Sequence, residues 1–462
     1  MNTTKTHPYD LTAAEAAELI RRGDLSVAEL CEACIARRER LEPSLHAWVH
    51  FDPELVLGQA REIDAKIAAG GFDEPLWGAP FGVKDVFNTA HLPTWMGSPI
   101  WEGFTPGNDA RVVAALRLAG GVVFGKTVTA EFAVHHPGPT VNPYSPDHSP
   151  GTSSSGSAAA VAARVVPLAL GTQTAGSTIR PASYCGVYAL KPTFGVVPRT
   201  GILKTLDTLD HVTFFARGLE DLELVFECGR VRGTNYPYVH EGIDQWTPER
   251  LRGPFRVAFV RGPAWDQAEP YAREAIGALA GDWAADPDVR LEETELPDEF
   301  AGVHDLHEVV YTKALSYYFN QEYEEHYEKI SPVFLEMVER GRKISPEAYW
   351  DGLKRQRELG ERLDEFFEDY DFILNLSTSG EAPKGLNGRD KKDCCLIWTL
   401  CHAPAVNLPL FQSPSGLPFG AQIVSRQYNE RALFSFAKSL REKGRLREWD
   451  PSSAPHRPGG GG

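Results

Sequence analysis

The chain has 462 residues, 42% of them hydrophobic, and carries 63 acidic against 47 basic side chains for a net charge of −16. That balance argues against a nucleic acid or an anionic membrane as partner, since binding to phosphate depends on clustered Lys and Arg. No apolar run reaches the roughly 18 residues of a membrane helix, and Met1 to Pro8 lacks the apolar core of a signal peptide, so a cytoplasmic location is expected.

In chain order the first elements are two helices, each opened by a capping box, Thr12-x-x-Glu15 and Ser26-x-x-Glu29. They belong to an N-terminal helical region over 1–75. Cys31 and Cys34 share the second helix with no second pair nearby, so core packing is expected rather than zinc. Seven cysteines in so long a chain suggest no disulfide framework. Phe81 to Phe87 reads as a short buried strand or strand end that carries Lys84. An exposed lysine has a pKa near 10.4 and is neutral in only about one molecule in a few thousand at pH 7, a deficit of roughly 4 to 5 kcal/mol for a base. Burial lowers such a pKa by up to about 3 to 5 units and removes most of that deficit. The competing expectation is that Lys84 pairs with Asp85 at the surface.

Residues 149 to 157 are rich in Ser and Gly and alone would read as a flexible linker. They are followed by Ser157 to Ala163, an uncharged helical stretch, and by the apolar Val165 to Leu170, both of which need burial. The Ser/Gly loop therefore sits at a helix N-terminus, where free N–H groups and the dipole favour negative charge. Gly171 to Pro181 comes next, with Ser177 at the end of a small-residue turn rich in free N–H groups. A nucleophile and an oxyanion hole are built together in this way. Residues 221 to 230 predict a further helix, and 264 to 370 a largely helical region bearing Tyr311, Tyr317, Tyr318, Phe319, Tyr323 and Tyr327. Asp371 to Leu376 predicts a late strand, and Cys394, Cys395, Cys401 and His402 read as core or pocket wall. The tail 451–462 ends in four glycines and is expected to be disordered.

Gly78 to Asp85, Pro150 to Ser157 and Gly171 to Pro181 together resemble the motifs of the amidase signature family, the Ser-cisSer-Lys serine amidases. The resemblance continues through Val122 to Thr127, Leu190 to Thr193, Leu209-Asp210 and Gly416 to Val424, and so covers most of the chain. The family's two active serines lie 24 positions apart, as Ser153 and Ser177 do here. The resemblance implies Lys84 as base, Ser153 as bridging serine and Ser177 as nucleophile. It implies the backbone N–H groups of Thr174, Ala175, Gly176 and Ser177 as the oxyanion hole. It also implies an α/β fold with a mixed, twisted central sheet flanked by helices on both sides, and no cofactor or metal. No linker or repeat divides the motifs, so one domain is expected over 1–450. Within it, 76–230 would be the signature core, 231–370 a variable and mostly helical insert, and 371–450 the C-terminal part of the core.

Departures from the family pattern cluster at the same motifs. Thr152 and Ser155 replace glycines of the Ser/Gly loop, and Ala175 does so beside Ser177. Gln173 stands where the family often has Asp, and Ile179 where it often has Arg, while Arg180 lies one position later. A charged contact usual in the family is therefore expected to be missing or rerouted.

Substrate choice must come from loops outside the triad. The candidates are Trp95 and Met96 after the Lys84 strand, His135 before the Ser/Gly loop, Ser154 within it, and Tyr317 and Tyr318 in the helical region. Aromatic walls would favour apolar or aromatic groups. With Lys84 as base, neither His135 nor His136 is needed for proton transfer. The expected activity is hydrolysis of a small linear amide or carbamate (urethane) by a monomer or homodimer. Two alternatives compete with it. One is a glutamine amidotransferase A-type subunit working with a partner chain, and the other is a non-catalytic binding relative.

Overall fold

A computed structural model describes residues 7–233, 241–247, 251, 253–386 and 392–455. Among them one sheet contains β1 (Trp48–His50), β2 (Pro80–Lys84), β3 (Val122–Thr127), β4 (Leu168–Gln173), β5 (Tyr188–Lys191) and β6 (His211–Ala216). It continues with β7 (Phe255–Val260), β8 (Val289–Thr294), β9 (Phe372–Leu376), β10 (Ala405–Gln412) and β11 (Pro418–Val424). The spatial order is β1-β3-β2-β4-β6-β5-β10-β11-β9-β7-β8. Pairing is parallel within β3–β2–β4 and β9–β7–β8 and antiparallel elsewhere, so the sheet is mixed as expected.

Parallel neighbours need crossover connections, and the helices Arg111–Leu118 and Ser155–Ala162 lie in those between β2 and β3 and between β3 and β4. The β2–β4 register sets Val83 opposite Leu170. The carboxyl ends of these two strands therefore lie side by side, the edge at which parallel sheets place their sites. Alternate residues of β4 face opposite layers. Leu168 and Leu170 join a core with Phe81, Val83, Val112, Leu222 and Phe434, while Ala169 joins another with Phe124, Cys31, Cys34 and Ala159.

The helix Ser155–Ala162 is buried along its whole length. A Cβ on Gly156 would fall 2.4 Å from the Ala47 carbonyl oxygen and 2.4 Å from the Val128 nitrogen. Only glycine lets this helix lie so close to neighbouring backbone. Both N-terminal capping boxes form, with Glu15 N donating to Thr12 Oγ1 at 3.2 Å and Glu29 N to Ser26 Oγ at 3.1 Å. The helix expected at 221–230 spans Leu219–Gly229, and the late strand is β9.

Among the described residues the stretch 231–370 is mostly helical, and β7 and β8 inside it extend the main sheet beside β9. Each is a six-residue strand, too short for its periodicity to stand out in the sequence. One expectation needs correction: the tail expected to be disordered is folded as far as it is described. Pro451–Ser453 forms a turn whose Ser453 Oγ accepts from Gln412 Nε2 at 3.0 Å, while 456–462 lie outside the described residues. Among the described residues no helix is long and apolar enough to cross a membrane.

Candidate active site

Lys84 is the last residue of β2 and is fully buried. Its Nζ donates to Ser153 Oγ and to Thr172 Oγ1, both at 2.8 Å. Burial holds its pKa well below the ordinary lysine range, and the nearby negative charge of Asp210 opposes that shift. The surface pairing with Asp85 does not occur. Asp85 is itself buried and pairs at 2.8 Å with Lys126, whose Nζ also donates to Thr94 Oγ1 and the Pro93 carbonyl.

Ser153 is buried, follows a cis peptide bond from Thr152, and precedes the N-cap of the helix Ser155–Ala162. Ser154 binds the Ser/Gly loop to the turn that follows β4. Its N–H donates to the Ser177 carbonyl at 3.3 Å, and its hydroxyl donates to the Thr172 carbonyl at 3.2 Å. Fully buried and spent on backbone, Ser154 does not face substrate as expected.

The turn from Thr174 to Ser177 is fixed from several sides. Thr174 Oγ1 donates to Asp210 at 2.8 Å, and the Thr174 carbonyl accepts from His307 Nε2 at 2.9 Å. The Ala175 carbonyl accepts from Thr399 Oγ1 at 2.6 Å. Gln173 Oε1 accepts from the N–H groups of Thr178 and Ile179, both at 2.9 Å, and its Nε2 donates to Thr399 Oγ1 at 2.9 Å. Among the described residues, none of the N–H groups of Thr174, Ala175, Gly176 and Ser177 meets a protein acceptor.

The charged contact expected to be missing or rerouted is present in a new form. Arg180 pairs at 3.4 Å with Asp393, which arrives from the far end of the chain. The Asp393 carboxylate lies against the Thr174–Ser177 turn so closely that a Cβ on Gly176 would come within 2.2 Å of its Oδ1. Arg180, Asp393, Lys392 and Ser377 to Ser379 line a small recess next to this turn.

Of the other expected substrate contacts, Met96 is buried in a core cluster that also includes Phe132, Ala175 and Ile179. Trp95 is half-buried with its ring edge-on to His50 at 4.4 Å. His135 is open to solvent, yet protein atoms crowd it enough to push its pKa down to about 4, with Arg180 adding to the shift and Asp393 opposing it. Tyr317 is 75% exposed and projects into solvent, and the Tyr318 hydroxyl is tied to Asp207. An aromatic wall from this pair is not present. Thr172, His307, Asp393 and Thr399 carry no mark in the sequence, because their partners lie up to 226 positions away.

The family model for Amidase matches residues 29–434. The A-type subunit of the glutamyl-tRNA(Gln) amidotransferase of Chloroflexus aurantiacus is 32% identical over 96% of this chain and 98% of its own. The solved peptide amidase of Stenotrophomonas maltophilia superposes with a TM-score of 0.83 at 26% identity, over 96% of this chain and 98% of that one. A chain of a vestigial protein complex bearing on the evolutionary origins of an s-triazine catabolic enzyme reaches 0.85 at 26% identity, over 95% and 100%. With a family match from residue 29 to residue 434 and this fold around it, the protein belongs to the amidase signature family, hydrolases of carbon–nitrogen bonds.

Proposed function

We propose that the chain is a serine hydrolase that cleaves linear amides or carbamates through an acyl-enzyme on Ser177. The observation that carries this reading is the 2.8 Å contact between a fully buried Lys84 Nζ and Ser153 Oγ, beside the strand that leads into Ser177. A lysine kept neutral by burial offers a lone pair at neutral pH. It takes the Ser153 proton as Ser153 takes that of Ser177, and Ser177 Oγ attacks the carbonyl carbon. The N–H groups of Thr174, Ala175, Gly176 and Ser177 hold the developing oxyanion, where loss of one donor costs about 3 to 4 kcal/mol. The relay returns its proton to the departing nitrogen, and water then cleaves the acyl-enzyme. Delivery of that proton is what extends the site from esters to amides.

The charged side chains of Arg180, Lys392 and Asp393 beside the turn support acyl groups with polar or charged substituents. The test is release of a coloured amine from anilides and carbamates that share one leaving group, with Ser177→Ala and Lys84→Ala alongside. Turnover abolished in the first variant and nearly so in the second supports the relay, and normal activity in either refutes it. Labelling of Ser177 by a fluorophosphonate separates this reading from a non-catalytic relative, which would not label.

A second reading has its own support. The similarity to the A-type chains of glutamyl-tRNA(Gln) amidotransferases covers nearly the whole protein, and Arg180 with Asp393 offers both charges beside the nucleophile turn. Under it, glutamine is the amide cleaved, and turnover depends on a partner chain.

A further inference from the structure

A trans peptide unit is planar, with its C=O and the following N–H pointing in opposite directions. A donor that fixes the carbonyl of one residue therefore also fixes where the next residue's N–H points. Two side chains do this behind the nucleophile turn. His307 Nε2 donates to the Thr174 carbonyl at 2.9 Å, and Thr399 Oγ1 donates to the Ala175 carbonyl at 2.6 Å. The N–H groups on the far sides of those two trans peptides belong to Ala175 and Gly176.

Both donors are built for the task. His307 is buried on the helix Val303–Tyr318, and burial pushes its pKa down to about 4, so the ring is neutral with its proton on the nitrogen that meets a carbonyl. Thr399 is fully buried in the short helix Leu396–Leu400. A hydroxyl has one hydrogen, and that of Thr399 favours the Ala175 carbonyl at 2.6 Å over the Cys395 carbonyl at 3.4 Å, while its oxygen accepts from Gln173 Nε2 at 2.9 Å. Neither side chain belongs to the strands that carry the triad.

We propose that His307 and Thr399 are positioning residues that aim the N–H groups of Ala175 and Gly176 at the oxyanion. The proposal rests on the reading of Ser177 as nucleophile. The two residues touch no substrate and act only through the direction of those peptide units.

The experiment compares the full-length protein with Thr399→Val, Thr399→Ser, His307→Phe, His307→Gln and Ser177→Ala. The readout is the second-order rate of Ser177 labelling by a fluorophosphonate, whose phosphoryl oxygen needs the same donors, together with kcat and KM on whichever anilide or carbamate turns over. Thr399→Val and His307→Phe are expected to slow labelling and kcat by about 10- to 100-fold with KM within about threefold, as befits donors misaimed rather than removed. Thr399→Ser and His307→Gln, which restore a donor, are expected to recover most of the rate. Labelling at the parent rate in both apolar variants overturns the proposal, as does a loss that the donor-restoring variants fail to recover. Because the two residues lie on different helices, failure of one variant to fold leaves the other as the test. Labelling that survives Ser177→Ala would overturn the reading beneath the proposal. A silent Ser177→Ala beside unaffected Thr399→Val and His307→Phe would overturn the proposal alone.

Discussion

Gln173, at the end of β4, carries three hydrogen bonds that start the helix Ile179–Tyr184 and seat Thr399. Gln173→Met keeps the side-chain length and removes all three. A buried donor left without an acceptor costs about 1 to 3 kcal/mol, so the stranded N–H groups of Thr178 and Ile179 cost about 2 to 6 kcal/mol together. The apolar replacement returns about 1 kcal/mol by burial, leaving an expected loss of about 1 to 5 kcal/mol. Urea unfolding followed by circular dichroism measures the total, and hydrogen exchange at the Thr178 and Ile179 amides locates it. Gln173→Glu supplies the second arm. Its carboxylate can accept both N–H groups but cannot donate to Thr399, whose one hydrogen is then drawn from the Ala175 carbonyl. That variant is expected to keep most of its stability while Ser177 labelling slows. A Gln173→Met protein within about 0.5 kcal/mol of the parent, with exchange at the two amides unchanged, would refute the reasoning.

Gly156→Ala places a Cβ 2.4 Å from two backbone atoms that cannot rotate away, so it is expected to destabilise by about 3 kcal/mol or more, read as a fall in the unfolding midpoint. Gly176→Ala drives a methyl into the Asp393 carboxylate; labelling of Ser177 should slow and recover when Asp393→Ala is added, and no recovery would mean the contact is not the cause. The rate of amide cleavage should fall about tenfold per pH unit once acid protonates Lys84, whose folded pKa burial depresses, whereas a profile flat from pH 9 to 5 would rule out a lysine base. Burial also holds the Lys191 ammonium down to about 7, against an ordinary value near 10.5. The unfolded chain thus binds more protons between those values, and stability rises with pH through that window by about 1.4 kcal/mol per pH unit relative to Lys191→Met; a stability difference that does not change between pH 8 and 9.5 would contradict it.

Legibility in the sequence follows locality. Lys84, Ser153 and Ser177 stand in short motifs whose neighbours are themselves diagnostic, and the buried strand end, the alanine helix and the apolar approach to the turn all form where the pattern puts them. The Gln173 and Ile179 departures point to a rerouted charge, and Arg180 does pair with Asp393. Nothing in the sequence could supply that partner, since 213 positions separate the two and the spacing follows from the path of the whole sheet. The same holds for His307 and Thr399. Lys126 is hidden in the sequence because Asp85 beside Lys84 suggests a pairing that the strand end forbids, Asp85 being committed to Lys126 across β3. Composition alone suggests Tyr317 and Tyr318 as pocket wall. Helix direction decides such cases, and it sends Tyr317 to solvent.

The order of residues along β2, β4 and the late helices also bears on synthesis. Lys84, Ser153 and Ser177 lie within residues 80–177, on strands and crossovers that pair with one another, whereas His307, Asp393 and Thr399 come from residues 303–400. A chain made from its N-terminus therefore presents Lys84, Ser153 and Ser177 before it presents the residues that brace the turn. Under the proposed mechanism, the turn gains these braces only when residues 303–400 dock, so an incomplete chain would carry Ser177 with the safety catch still on.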